Sequence, residues 1–203
     1  MPQNLVQRKN KTMQIKSHEI GFDFDGVIAA TGETFLRLAC EEFGHCSFNL
    51  DDIRDFEVED CLGIPKEHVE QLFYTIMIDS LKTGLQPMPG ALDVITNLAK
   101  QSTVTIITAR PLTNPVSDWL DYFCTPETCN KIKLVATSDH NDKSRYIKDH
   151  KLRYFIDDRV ETCLQLAQTD ITPIVYNQPW NKGRHSLQNV NNWQEISNLL
   201  EGL

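Results

Sequence analysis

The stretch EIGFDFDGVI, residues 19–28, runs a short apolar segment straight into two aspartates and a glycine. In an extended chain, residues two apart point to the same side. Asp23 and Asp25 can therefore share one site if the backbone stays extended that far, and Gly26 predicts a turn just after them. Carboxylates this close repel each other unless a cation, a proton or hydrogen-bond donors intervene. A hard divalent cation such as magnesium is the natural guest of such oxygens. The competing reading is a plain surface turn, because Asp-Gly is a common turn dipeptide. The stretch alone leaves both open.

Around it lies a chain of 203 residues, long enough for one substantial core with a small appended module. A hydrophobic fraction of 40% beside 24% charged residues reads as an ordinary soluble globular protein. The formal net charge of −8 argues against binding extended nucleic acid through a broad basic surface. A small anionic ligand then has to be held by a local cluster. Cys40, Cys46, Cys61, Cys124, Cys129 and Cys163 include no C-x-x-C pair, and no signal peptide is recognisable ahead of them. Reduced thiols in a cytoplasmic protein are expected rather than a disulfide framework. No apolar run approaches the roughly 20 residues of a membrane span, so no membrane partner is expected. The histidines form no H-x-x-x-H pair, which disfavours zinc. Oligomeric state leaves no mark on the sequence.

Residues 1–17 are polar and basic and read as a mobile tail, with a mitochondrial presequence as the alternative. Residues 31–44 carry Phe35, Leu38, Ala39 and Phe43 at helical spacing, with Thr31 or Thr34 as caps and Gly44 as the stop. The pattern stays helical to Thr83, broken near Leu62 to Pro65, so residues 29–86 are predicted to form a helical insertion. Its aromatic residues read first as core packing. Strands then alternate with helices: strands at 103–108, 132–137, 152–156 and 173–176, helices at 91–100, 114–123, 143–150, 160–168 and 193–200. Such alternation predicts an α/β fold, a Rossmann-like and mainly parallel sheet with helices on both faces. The core would comprise residues 18–28 and 87–203, with ligands gathering at the carboxyl ends of the strands.

Polar residues collect at that edge. The first strand ends in Asp23-Phe24-Asp25, the second in Thr108-Ala109-Arg110 and the fourth in Asp157-Asp158-Arg159, while Lys143 begins the helix leading into the fourth. Each has a bland explanation, with Thr108 and the aspartates as helix caps and Lys143 as a solvated lysine. All four at one edge point instead to a site.

In that order these residues resemble the haloacid dehalogenase superfamily. Its first motif, D-x-D-G-V-I, is met by Asp23 and Asp25, its second by Thr108, its third by Lys143 and its fourth by Asp157 and Asp158. The likeness runs from about residue 19 to about residue 180, with the helical insertion where the superfamily carries a small cap after the first strand. It implies a phosphatase, because the superfamily's dehalogenases lack an aspartate at the place of Asp25. Asp23 would attack phosphorus to give an aspartyl-phosphate, and Asp25 would act as acid and then base. Thr108 and Lys143 would hold the phosphoryl oxygens. Magnesium would be held by Asp23, the Asp25 main-chain carbonyl and Asp157. Asp158 would orient Lys143 or a water beside the metal, and Arg110 would support the site.

Within the superfamily the chain is most similar to the 5'(3')-deoxyribonucleotidases and their bacterial relatives. The likeness rests on DFDGVIA, on DKSRYIKDHKLRYFIDDR and on Tyr176-Asn177-Gln178-Pro179-Trp180-Asn181. Two places depart from those enzymes. Ala30-Thr31-Gly32-Glu33 stands where they have an acidic Asp-Phe-Glu run, and Thr108-Ala109-Arg110 where they have Thr-Ser-Pro. The implied substrate is a small phosphorylated metabolite, foremost a nucleoside or deoxynucleoside monophosphate, with Phe35, Phe73 or Tyr74 available to stack on a base. A sugar phosphate, a noncatalytic binding module on the same fold and nucleic-acid end processing are the alternatives.

Overall fold

The structure is a computed structural model and describes residues 14–139 and 143–203. Among the described residues six strands form one sheet: β1 (Ile20–Phe22), β2 (Val104–Thr108), β3 (Ile132–Ala136), β4 (Tyr154–Asp157), β5 (Thr172–Tyr176) and β6 (Asn189–Val190). Their order is β3-β2-β1-β4-β5-β6, and every neighbouring pair is parallel. β1 is thus central. Phe22 pairs with Ile106 on one side and Ile156 on the other, so Asp23, Thr108 and Asp157 reach the same carboxyl edge within about a residue of one another.

Alternation along the strands divides the apolar residues between two faces. Phe22, Val104, Ile106 and Ile156 belong to the main core with α4 (Ala91–Gln101), α5 (Asn114–Phe123) and α9 (Trp193–Leu199). Ile107 and Phe155 belong to a second cluster with Ile147 of α7 (Lys143–Asp149) and Leu166 of α8 (Val160–Leu166). Both faces of the sheet are therefore covered. The aromatic residues of the anchor stretch are pinned on the main side. Phe22 stacks on Trp193 with ring centroids 5.3 Å apart, and Phe24 meets Trp119 edge-on at 5.1 Å.

Between β1 and α4 lie α1 (Thr31–Phe43), α2 (Val58–Leu62) and α3 (Lys66–Ile78). The two ends of this insertion run side by side. Ala30 N–H donates to Gln86 O at 2.8 Å and Met88 N–H to Ile28 O at 2.8 Å. Inside it, α1 and α3 pack through Phe35 and Phe73, stacked at 4.8 Å.

Three expectations change. Residues 1–13 lie outside the described residues, but Ile15, read as part of a mobile tail, is 0% exposed. Its N–H donates to Leu199 O at 2.8 Å and its carbonyl accepts from Glu201 N–H at 2.9 Å, because its apolar side chain joins the core behind α9. The cysteines are not all reduced. Gly44, at φ +75°, reverses the chain after α1 and brings Cys46 back to Cys40, with which it forms a disulfide. Cys61, Cys124, Cys129 and Cys163 remain free thiols. The short elements β6 and α6 (Pro126–Cys129) were not anticipated. No helix among the described residues is long and apolar enough to cross a membrane.

Candidate active site

Asp23 leaves the end of β1 with its N–H bound to Ile156 O at 2.8 Å, which sets it abreast of Asp157 at the end of β4. Between them stands Lys143, the first residue of α7. Its side chain is 1% exposed, and its Nζ lies 2.9 Å from Asp23 Oδ1 and 2.8 Å from Asp157 Oδ2. This is no solvated lysine. Burial by itself would lower its pKa, but the charges of Asp157 and Asp23 outweigh burial and hold it above its ordinary value.

Asp157 and Asp158 divide their work differently from expectation. Asp157 is 0% exposed and both its oxygens are engaged: Oδ2 by Lys143, and Oδ1 by the Arg159 N–H at 2.9 Å. Asp158 lines the adjoining cavity, and its Oδ2 accepts from Trp180 Nε1 at 3.0 Å. Lys143 is thus ion-paired with Asp157 and not with Asp158; of its two expected tasks this leaves Asp158 the one beside a metal-bound water. Neighbouring residues at a strand end point opposite ways. Asp157 shares the side of Phe155, over whose ring Lys143 Nζ sits at 5.7 Å.

Asp23, Asp157 and Asp158 each offer an oxygen within 4.8 Å of the others, against one ammonium. Burial, then the charges of Asp157 and Asp25, push the Asp23 carboxyl up from 3.8 to about 7 despite Lys143. Burial with the charges of Asp157 and Asp23 likewise holds Asp158 well above the ordinary carboxylate range. Asp23 Oδ1 is buried, and its close partner is the Lys143 ammonium, which it shares with Asp157. An all-oxygen set with surplus negative charge fits a hard divalent cation such as magnesium.

Asp25 is held by other means. Its side chain is 31% exposed and borders the cavity. Arg110 grips it with a fork, Nε donating to Oδ2 at 2.8 Å and Nη2 to Oδ1 at 2.7 Å. Thr31 Oγ1 also donates to Oδ1, at 2.7 Å. Burial would raise this carboxyl; the Arg110 charge and hydrogen bonds, with the Thr31 hydroxyl, outweigh it and hold Asp25 below its ordinary value. Thr31 is therefore not the cap of α1, whose first turn follows Ala30 with no side-chain cap. Thr108 is buried at the end of β2 and its Oγ1 accepts from the Arg110 N–H at 3.2 Å. Its own hydroxyl proton is left to donate elsewhere.

Gly26 is required twice over. Its φ is +69°, and a Cβ there would lie 2.2 Å from Asp158 Oδ2. The loop after β5 completes the brace: Gln178 Nε2 donates to Gly26 O at 2.7 Å, and Asn181 Nδ2 to Asp158 O at 2.7 Å. These residues carried only the family likeness in the sequence. No spacing rule marks them, since they act across more than twenty residues of chain on Asp158 and more than 150 on Gly26.

The site opens into a cavity of about 870 Å³ between the sheet edge and the insertion. Ile53, Phe56, Val58, Phe73, Tyr74 and Met77 supply its apolar wall. Phe35, named as a stacking residue, is not part of that wall; it is buried against Phe73.

Comparison with known proteins agrees with this layout. Residues 17–202 match the family described as "5' nucleotidase, deoxy (Pyrimidine), cytosolic type C protein". A protein of Halalkalibacterium halodurans provisionally named a nucleotidase is 26% identical over 189 residues, 89% of this chain and 91% of its own length. A Bacillus cereus protein named in the same way is 21% identical, covering 90% and 98%. Among solved structures, a haloacid dehalogenase-like hydrolase of Streptococcus pneumoniae superposes with a TM-score of 0.58 at 15% identity, covering 88% of this chain and 96% of its own. A provisionally named phosphatase of Clostridium difficile gives 0.59 at 15% identity, covering 93% and 99%. The chain belongs to the cytosolic type C 5' nucleotidase family of the haloacid dehalogenase superfamily, and is a phosphoric monoester hydrolase.

Proposed function

We propose that this protein is a magnesium-dependent phosphatase of nucleoside or deoxynucleoside monophosphates, working through an aspartyl-phosphate in the cytoplasm. The observation that carries the substrate class is the cavity. Its volume suits a nucleoside better than a small sugar, and its apolar wall suits a base. Asp55, Glu57, Glu59, Glu67 and Glu70 also line it and outnumber Lys66 and Arg159 there, so a second phosphate would meet a net negative wall.

In this mechanism the ester binds as its monoanion and passes its proton to Asp25, which is ionised before substrate binds. An Asp23 carboxylate oxygen then bonds to phosphorus as the ester P–O bond breaks, and the leaving oxygen takes that proton from Asp25. Asp25 then removes a proton from a water that attacks the aspartyl-phosphate, releasing inorganic phosphate and restoring Asp23. The Lys143 ammonium and the Thr108 hydroxyl hold phosphoryl oxygens as their charge redistributes. Asp23, the Asp25 main-chain carbonyl and Asp158 are the residues that would hold magnesium. This set replaces Asp157, whose oxygens are occupied, with Asp158. The bound ion would offset repulsion between the carboxylate nucleophile and the anionic ester. The helices of residues 29–86 serve as a cap that closes the nucleoside off from water.

Phosphate release over a panel of nucleoside monophosphates, nucleoside diphosphates and sugar phosphates tests this, with magnesium and with chelator. Monophosphates are expected to lead and chelator to stop turnover. A sugar phosphate turned over faster than every nucleotide would move the substrate class. Trp180→Phe tests the metal set independently. It keeps an aromatic side chain, though a smaller one, but removes the indole donor to Asp158, and is expected to weaken magnesium binding by calorimetry about 10-fold or more. An unchanged Kd would remove Trp180 and Asp158 from the metal's support.

A further inference from the structure

Arg110 is only 3% exposed, yet it does more than neutralise Asp25. While Nε and Nη2 grip the carboxylate, Nη1 reaches the far end of the insertion. It donates to Ser80 Oγ at 2.7 Å, Ile76 O at 3.3 Å and Met77 O at 3.4 Å. The guanidinium also lies 5.0 Å from the centroid of the Phe24 ring, which fixes its plane from the core side. Thr31, the first residue of α1, holds Asp25 Oδ1 from the near end of the insertion. Both ends of the inserted helices therefore meet on one carboxylate. Oδ1 accepts two hydrogen bonds and Oδ2 one, so Oδ2 has the freer lone pair for exchanging a proton with substrate.

We propose that Arg110 is a positioning residue that couples the docked C-terminal end of α3 to the acid–base carboxylate, so that Asp25 is aligned for proton transfer only while the inserted helices are in place. This rests on the acid–base reading of Asp25. A planar fork bound on both sides transmits position in a way that a lysine, a flexible point charge, does not.

The test compares kcat/KM for a nucleoside 5'-monophosphate with that for p-nitrophenyl phosphate. kcat/KM covers steps up to formation of the aspartyl-phosphate. The alkoxide leaving group needs a proton there, whereas p-nitrophenolate leaves without one. Three variants are measured in the full-length protein with saturating magnesium: Asp25→Asn, Arg110→Lys and Ser80→Ala. Ser80→Ala touches neither Asp25 nor the cavity wall, and keeps the coupling measurable if Arg110→Lys folds poorly. Arg110→Lys is expected to lower the nucleotide-to-aryl ratio about 30-fold and Ser80→Ala about 5-fold, with KM for the nucleotide changed less than about 3-fold. An unchanged ratio in both, or equal losses on the two esters, overturns the coupling. If Asp25→Asn itself leaves the ratio unchanged, the acid–base reading of Asp25 falls first and takes the coupling with it.

Discussion

Asp23→Asn is expected to reduce phosphate release by roughly 10⁴-fold or more and, at the same time, to make the metal-free protein more stable. The loss follows from chemistry: a carboxamide cannot form the aspartyl-phosphate. The gain follows from burial. The carboxyl of Asp23 is held at about 7 rather than 3.8, first by burial and then by the charges of Asp157 and Asp25. An acid raised in this way costs the fold nothing below 3.8, where it is protonated in both states. The cost grows as pH rises through the interval and is complete above about 7. About three units of displacement correspond to at most roughly 4 kcal/mol, which asparagine, unable to ionise, would not forfeit. For a chain of this length that is several degrees in Tm. Thermal melts with chelator should show the variant ahead of the parent at pH 8 and the gap shrinking towards pH 4. A variant that melts lower than the parent at pH 8 would mean that Lys143 needs Asp23 more than Asp23 suffers from burial. Added magnesium should raise the parent's Tm more than the variant's, since only the parent has the surplus charge to offset.

The same crowding explains what could be read from the sequence. Asp23, Asp25, Thr108, Lys143 and the Asp157-Asp158 pair were visible as polar residues interrupting apolar strand ends, and the parallel register brings them to one edge. The assignment within the last pair was not visible. Both faces of β4 are apolar, with Ile156 on one and Phe155 on the other, so hydrophobic alternation carried no phase to say which aspartate turns towards α7. Arg110 could be placed beside the site by its position after Thr108. Its partners at Ile76, Met77 and Ser80 lie some thirty residues away across the insertion, where no local pattern points to them. The Cys40–Cys46 bond depends on the left-handed turn at Gly44, and the glycine was legible as a helix stop but not as a reversal tight enough to join two thiols. β6 escaped because two residues, Asn189 and Val190, are too few for a periodicity to register.

Lys143→Met is expected to fail in the opposite sense from Asp23→Asn, losing both activity and stability. Methionine fills a similar volume, so the change removes charge rather than packing. Without the ammonium, Asp157, fully buried, and Asp23 face each other with their shared cation gone. Breaking a buried pair from one side typically costs about 3–5 kcal/mol. The lysine is held above its ordinary 10.5, burial being outweighed by Asp157 and Asp23. Its stabilisation is therefore fully present below 10.5 and fades only as pH climbs beyond it, so the whole loss should appear at pH 7. Activity should fall by at least roughly 10²-fold at a temperature where the variant remains folded, because a fixed cation no longer meets the phosphoryl charge. Combining the two substitutions separates charge from shape. If the ammonium stabilises by opposing Asp23, the Asp23→Asn, Lys143→Met protein melts higher than Lys143→Met alone, with a coupling of the size found for contacting charges. If instead the double variant melts lower by the sum of two independent losses, Lys143 answers chiefly to Asp157. Asp23 would then stand free of it, an open nucleophile whose negative charge only a divalent cation offsets.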